Sequence, residues 1–352
     1  MSAQREAKVE TKDEKKHHPL LPHFTNTTIM IIGGTGSLGQ HLLSLFRQDK
    51  SIVLIVVSRD ENKQWLLRSL FPTVHFVLGD IRDGKRMADL LAMWKPTHVI
   101  LAAALKHIDQ CEAMLSESIK TNIHGIQNVT DACVKAPGVQ KMLLISTDKA
   151  CSPVNVYGMC KAIAERIVTN TASSYNKEKR DKLPDFLCVR YGNVLNSRGS
   201  LIPKFAEIGK SATAKTFPIT DASMTRFFMT LDQSVDLIVH ALVFGSTGET
   251  WIPEVPAIKI LDLAKYFSVR YNKPYEIVGK RPGEKLHECL INECEIERTQ
   301  LISIDTTHFY VVKPSLHLEI QAKPCLTQQY ESSKIVDFST LLPIIESILA
   351  AT

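Results

Sequence analysis

Short apolar runs recur along the first half of the chain, each closed by Gly, Asp, Ser or Thr. "TIMII" begins at Thr28, and "SIVLIVVS", "VHFVLGD", "THVILAAA" and "KMLLIST" follow. All are rich in Val, Ile and Leu with no polar alternation, as expected of parallel strands buried on both faces. Between them lie stretches of helical period. Leu38, Leu42, Leu43 and Phe46 form one stripe, and "NIHGIQNVTDACVKA" holds another. Strands alternating with helices predict an α/β fold, a doubly wound parallel sheet. "DFLCVRYGNV" reads as a further strand.

After about residue 195 the pattern becomes irregular. Pro, Gly and shorter helical segments such as "LDQSVDLIVHALVFG" and "AIKILDLAKYF" predict a smaller C-terminal lobe capping the sheet. The expected division is a charged, mobile tail over 1–26, a dinucleotide-binding domain over 27–192, and a lobe over 193–352 that partly returns to the sheet. The tail's sign-alternating "KVETKDEKK" argues against a nucleic-acid role. His17 and His18 are read there as solvated side chains, so no metal is expected.

"GGTGSLG" places Gly33, Gly36 and Gly39 at three-residue intervals between the first strand and the first helix. Glycine lets the backbone turn tightly and approach a pyrophosphate, and the helix N-terminus offers free N–H groups. Thr35, Ser37 and Leu38 complete this turn. In this strand–turn–helix context the spacing is a dinucleotide signal. The second strand ends in Ser58, Arg59 and Asp60, with Lys63 one turn later. Asp60 alone would suit the ribose 2′-hydroxyl of NAD. Two cations beside it favour the 2′-phosphate of NADP, the alternative being ordinary solvated charges. Asp80 and Ile81 are placed to grip an adenine, and Ala102, Ala103 and Ala104 to let a cofactor lie against backbone. Spacing leaves Lys106 between a phosphate or sugar contact and a surface charge.

Tyr157 and Lys161 lie four residues apart, on one face of a helix. An ammonium beside a phenol favours the phenolate, so the expectation is a tyrosine of lowered pKa acting as general base.

These pieces, with "ISTDKACSPVNVYGMCK", "RYGNVLNSRGSLIPKF", "ITDASMTRFFMTL" and "GKRPGEKLHE", resemble the extended short-chain dehydrogenase/reductases. Within them they look like the UDP-N-acetylglucosamine 4,6-dehydratases, including those that invert C5. Thr147-Asp148-Lys149 is the most specific match, since relatives acting on hexoses carry Thr-Asp-Glu there and simple 4-epimerases lack the pair. One inverting branch has Met where this chain has Tyr157, and Cys160 replaces a usual Thr. The resemblance implies that Tyr157 deprotonates the 4-hydroxyl, Lys149 is the base at C5, Asp148 the acid for the 6-hydroxyl, and Thr147 bonds the 4-oxygen. For Lys149 to act it must be neutral, which burial beside other cations is expected to arrange. Asn193, Arg198, Arg226, Arg281 and Glu284 become the expected substrate contacts, with structural ion pairs the alternative for the charged ones. The implied partners are a UDP-sugar and further copies of the chain.

Bulk composition alters little. Among 352 residues, 44% are hydrophobic and 22% charged, with a formal charge of +5, too slight for the length to suggest a nucleic-acid partner. No apolar run reaches transmembrane length. The eight cysteines fit neither a zinc site nor a disulfide framework. Together these predict reduced thiols in a cytoplasmic protein without a membrane span.

Overall fold

A computed structural model describes residues 18–197, 200–314 and 324–350. Six strands alternate with helices through the first half: β1 (Thr28–Ile32), β2 (Val53–Ser58), β3 (His75–Leu78), β4 (His98–Leu101), β5 (Lys141–Ile145) and β6 (Asp185–Val189). The helices are α1 (Ser37–Phe46), α2 (Glu61–Arg68), α3 (Gly84–Trp94), α4 (Ile108–Ala113), α5 (Leu115–Ile119), α6 (Gly125–Lys135), α7 (Val156–Asn170) and α8 (Lys177–Arg180). The second half holds β7 (Asn193–Val194), α9 (Leu201–Lys210), β8 (Phe217–Ile219), β9 (Thr225–Met229), α10 (Leu231–Phe244), β10 (Thr250–Pro253), β11 (Ala257–Lys259) and α11 (Ile260–Tyr271). It closes with β12 (Tyr275–Ile277), β13 (Cys289–Ile291), α12 (Glu293–Ile296), β14 (Thr299–Ile304), β15 (Thr307–Val312), β16 (Tyr330–Glu331) and α13 (Phe338–Ala350).

The main sheet has the order β14-β15-β10-β6-β5-β4-β1-β2-β3. It is parallel from β10 to β3, and the order reverses at β1, as in a doubly wound nucleotide-binding sheet. Apolar clusters fill both faces of the sheet. The β14–β15 hairpin adds to β10 antiparallel, so the chain's last third does return to the sheet. A third cluster, built on Phe205, Phe217 and Phe267, is the core of the smaller lobe.

The N-terminal segment differs from the tail expected over 1–26. Residues 1–17, His17 among them, lie outside the described residues. From His18 the chain is packed: Leu21 and Phe24 are each 1% exposed, and the Phe24 ring meets Phe46 edge-on with centroids 5.1 Å apart. Two large apolar side chains in "PLLPHF" suffice to anchor a short turn, despite the charged composition before it. His18, expected to be solvated, donates from Nε2 to Asp236 Oδ1 at 3.1 Å.

Candidate active site

β1 runs into a glycine turn whose close approaches exclude side chains. Gly33 sits at φ +89°, and a Cβ there would lie 2.6 Å from the Ala103 nitrogen. A Cβ on Gly39 would lie 2.2 Å from the Gly34 carbonyl oxygen. The turn is thus pressed against the end of β4 and the start of α1. Gly36 caps α1 without a side-chain hydrogen bond, leaving the N–H groups of that first turn to a ligand. Thr35 is buried in the turn, and Ser37 and Leu38 open α1. With Ala102, Ala103 and Ala104 across from them, these residues form a cradle that fits a dinucleotide pyrophosphate.

At the end of β2, Ser58 is held by Gln64, whose Nε2 donates to its Oγ at 3.0 Å. Asp60 caps α2 by accepting from the Lys63 N–H at 2.9 Å, and its other oxygen pairs with Lys63 Nζ at 2.6 Å. Arg59 lies 3.7 Å from Asp80, which is gripped more tightly by Arg82 at 2.6 Å. Asp80, expected at an adenine, is therefore occupied by two arginines. Ile81 beside it is buried. Lys106 is exposed beyond the end of β4.

The chemical residues come together where β5 ends. The Ser146 and Asp148 N–H groups bond to the carbonyls of Val189 and Tyr191, so sheet pairing continues past the last strand residue. Thr147 then caps a single turn, Asp148–Ala150. α7 begins against that turn: a Cβ on Gly158 would lie 2.3 Å from the Lys149 carbonyl oxygen. Asn155 caps α7 by accepting from Gly158 N–H at 2.7 Å and donates to the Gly283 carbonyl at 2.8 Å. Tyr157 is carried against Thr147, Asp148 and Lys149 as a result.

Asp148 is fully buried. Its Oδ1 accepts from Thr147 Oγ1 and from Lys149 Nζ, each at 2.9 Å, while Oδ2 has no hydrogen-bond partner. Lys149 Nζ lies 3.5 Å from a second buried carboxylate, Glu288 Oε1. Burial opposes the Lys149 charge, but Asp148 and Glu288 outweigh it and hold the ammonium pKa above its ordinary value. This reverses the expectation of a neutral lysine. Tyr157 departs from expectation too: burial pushes its hydroxyl up to about 12, against the opposing charge of Lys149. Lys161 shares its helix face, but its Nζ donates to the Ile145 carbonyl at 2.6 Å, and burial lowers its pKa to about 8.

The expected substrate contacts divide. Asn193 opens β7, paired across to Phe228. Arg226 is buried, and its guanidinium donates to the carbonyls of Thr225, Lys285 and Leu286, with Nε 3.7 Å from Glu288 Oε1. Those bonds hold the 285–288 segment in place. Arg281 is exposed, and its N–H donates to Glu284 Oε2 at 3.2 Å. Arg198 lies outside the described residues. Sequence reasoning missed Glu288 and Lys285. Their only signal was their place in "GEKLHE", with no spacing that ties them to Lys149.

A family model described as "Polysaccharide biosynthesis protein" matches residues 29–311. A UDP-N-acetylglucosamine 4,6-dehydratase (inverting) of Campylobacter jejuni is 40% identical over 297 residues, 83% of this chain and 84% of that protein. A UDP-glucose 4-epimerase of Rickettsia rickettsii is 39% identical over 284 residues, 78% of this chain and 80% of the other. Pen from Bacillus thuringiensis, solved by X-ray diffraction, matches with a TM-score of 0.83 and 33% identity, over 93% of this chain and 99% of that one.

Proposed function

This chain belongs to the polysaccharide biosynthesis protein family, and on that premise we propose that it is an NADP-dependent 4,6-dehydratase of UDP-N-acetylglucosamine that also inverts C5. The observation that carries the reading is the pairing of buried Asp148 with half-buried Lys149 beside Tyr157. Epimerisation at C4 needs a base at the 4-oxygen but neither an acid at C6 nor a base at C5.

A bound nicotinamide would accept hydride from the sugar C4 and return it to C6. The chain's own groups move the protons. Tyr157, having given up its own proton to solvent, takes the 4-hydroxyl proton as the phenolate while the ketone forms, and the Lys149 ammonium favours that phenolate. Thr147 donates to the 4-oxygen once its hydroxyl turns from Asp148. The ketone acidifies the C5 proton, which Lys149 accepts once neutral and passes to the Asp148 carboxylate over their 2.9 Å contact. Asp148 delivers that proton to the 6-hydroxyl, which leaves as water. Reprotonation of C5 from the opposite face inverts it. The product is a 6-deoxy-4-keto amino sugar still joined to UDP.

Asp60 spends its carboxylate on capping α2 and pairing with Lys63, which leaves little of it for a ribose 2′-hydroxyl. That supports NADP over NAD, with Arg59 beside the 2′-phosphate. Lys106, Asn193, Arg198, Arg281 and Glu284 are assigned to the UDP-sugar. The exposed apolar side chains Met114, between α4 and α5, and Leu115, Met159 and Ile163, on helices around Tyr157, support self-association. Eight free thiols support a reducing, cytoplasmic setting, and among the described residues no helix is long and apolar enough to cross a membrane.

The test is incubation with UDP-N-acetylglucosamine, and separately UDP-glucose, in deuterium oxide with NADP or NAD, read by NMR. A C6 methyl signal with deuterium at C5 supports the reading. An intact C6 with inverted C4 overturns it in favour of the epimerase activity for which the Rickettsia relative is named.

A further inference from the structure

Glu288 lies just before β13, 139 positions beyond Lys149 in the sequence, yet ends beside it. It is 2% exposed. Three cations surround its carboxylate: Lys149 Nζ at 3.5 Å and Arg226 Nε at 3.7 Å from Oε1, and Lys285 Nζ at 3.7 Å from Oε2. None is within ordinary hydrogen-bond length, and among the described residues the fully buried Oε2 has no hydrogen-bond partner. A buried carboxylate with an unpartnered oxygen costs stability. Its backbone is nevertheless fixed, because the Glu288 N–H donates to Ser332 Oγ at 2.9 Å and Ser332 also bonds Thr225. Lys285 is itself tied down, donating to the Cys151 carbonyl at 2.6 Å.

We propose that Glu288 is a positioning residue for Lys149: its carboxylate holds Nζ in place and sets the pH at which Lys149 gives up its proton. The proposal rests on the dehydratase reading, in which Lys149 must be neutral to take the C5 proton. The groups facing Lys149 are Asp148 on its own turn, Tyr157 from α7, Arg226 from β9 and Glu288 from the segment before β13, with Lys285 set against the other Glu288 oxygen. His287 in that segment is turned to Thr225, its Nδ1 2.8 Å from the hydroxyl. Of the two carboxylates, Asp148 is already assigned to the 6-hydroxyl. Glu288 is the one whose charge can act on Lys149 throughout the reaction, with Lys285 and Arg226 moderating it.

The experiment measures C5 deuterium exchange against pH on the full chain, with NADP and UDP-N-acetylglucosamine. Glu288→Gln keeps the shape and removes the charge, so the rising alkaline limb should move down by about 1–3 pH units. Lys285→Met removes a cation from the other side of Glu288, so its limb should move up. Melting temperature and NADP titration establish that each variant is folded and binds cofactor. A purely structural Glu288 would lower activity without moving the limb. If the folded variants titrate like the parent, the proposal is overturned. If Glu288→Gln does not fold, the Lys285→Met limb decides alone. A parent with no exchange removes the dehydratase reading and this one together. A normal parent with unmoved variants removes only this one.

Discussion

Arg190 is 3% exposed and carries both halves of the molecule on one guanidinium. Nε and Nη2 donate to the Glu165 carboxylate on α7 at 3.0 and 2.6 Å. Nη1 and Nη2 donate to Glu295 in α12 at 2.8 and 2.9 Å, and Nη1 also reaches the Leu290 carbonyl at 2.8 Å. At an effective permittivity of about 20, each contact of this length attracts by about 6 kcal/mol. Desolvation of several kcal/mol per ion offsets much of that, so the intact triad adds little net stability. Removing only the cation is different, because two buried carboxylates keep their desolvation cost and lose their partner. Arg190→Met should therefore cost about 3–5 kcal/mol, a fall in melting temperature of about 5 °C for a chain this long. Burial opposes the Glu295 charge, but Arg190 overcomes it and holds that carboxyl below its ordinary pKa. A depressed carboxyl stabilises above its unfolded pKa of about 4.3 and loses that contribution as pH falls through the folded value. In the variant, burial acts on the Glu295 carboxyl without Arg190 to oppose it and raises it, so the variant takes up a proton and sheds part of its cost as pH falls; the gap should be full near pH 7 and shrink toward pH 4. Urea unfolding followed by circular dichroism at pH 7.5 and 4.5 measures both. A loss under about 1 kcal/mol at pH 7.5, or a gap that ignores pH, would refute the reasoning.

Three further outcomes are expected. Gly39→Ala would force a Cβ to 2.2 Å from the Gly34 carbonyl oxygen, displacing α1 from the turn. NADP affinity, read by fluorescence titration, should fall about tenfold or more, a cost of about 1.4 kcal/mol; an unchanged affinity would count against the cradle. Lys161, lowered to about 8 by burial, is an ammonium below that pH and an amine above it. If it holds the cofactor, NADP affinity should decline as pH rises past about 8, and Lys161→Met should flatten the profile. At the N-terminal segment, burial opposes ionisation of both Asp236 and His240, but hydrogen bonds from His18 and His240 lower the carboxyl and Asp236 raises the imidazole. Asp236 then stabilises above about pH 3.9 and His240 below about pH 6.5. Hydrogen-exchange protection at Leu21–Phe24, taken relative to the intrinsic rate at each pH, should be greatest inside that window and lose its pH dependence in Asp236→Asn.

The six leading strands were legible because most are buried and read as runs rich in Val, Ile and Leu, and each run begins within two residues of a strand, the half-exposed edge strand β3 included. The β14–β15 hairpin was less so. Only Phe309, Tyr310, Val311 and Val312 of its residues form a buried run, and its outer strand alternates around solvent-facing Leu301. The N-terminal boundary was drawn too late because composition averages over a window. The docking of Leu21 and Phe24 depends on two side chains, not on the lysines before them.

The site shows the same division more sharply. Thr147, Asp148, Lys149 and Tyr157 were legible because one strand end and one helix start bring them together within eleven residues. The spacing rule also placed Tyr157 and Lys161 on one helix face, and both are on it. It did not identify the partners. Lys161 turns its charge to the Ile145 carbonyl, while Lys149, from the neighbouring turn, supplies the cation that acts on Tyr157. Helical period fixes where a Cβ points, and a long side chain then goes to whichever acceptor tertiary packing supplies. Charge states depend on that second step. The lysine expected to be neutral beside other cations is instead held above its ordinary pKa, because Asp148 and then Glu288, brought in from the far lobe, outweigh burial. Reading the residues identifies which groups can exchange protons. The order in which they do so depends on contacts such as Lys149–Glu288, between segments more than a hundred residues apart, and those exist only after folding.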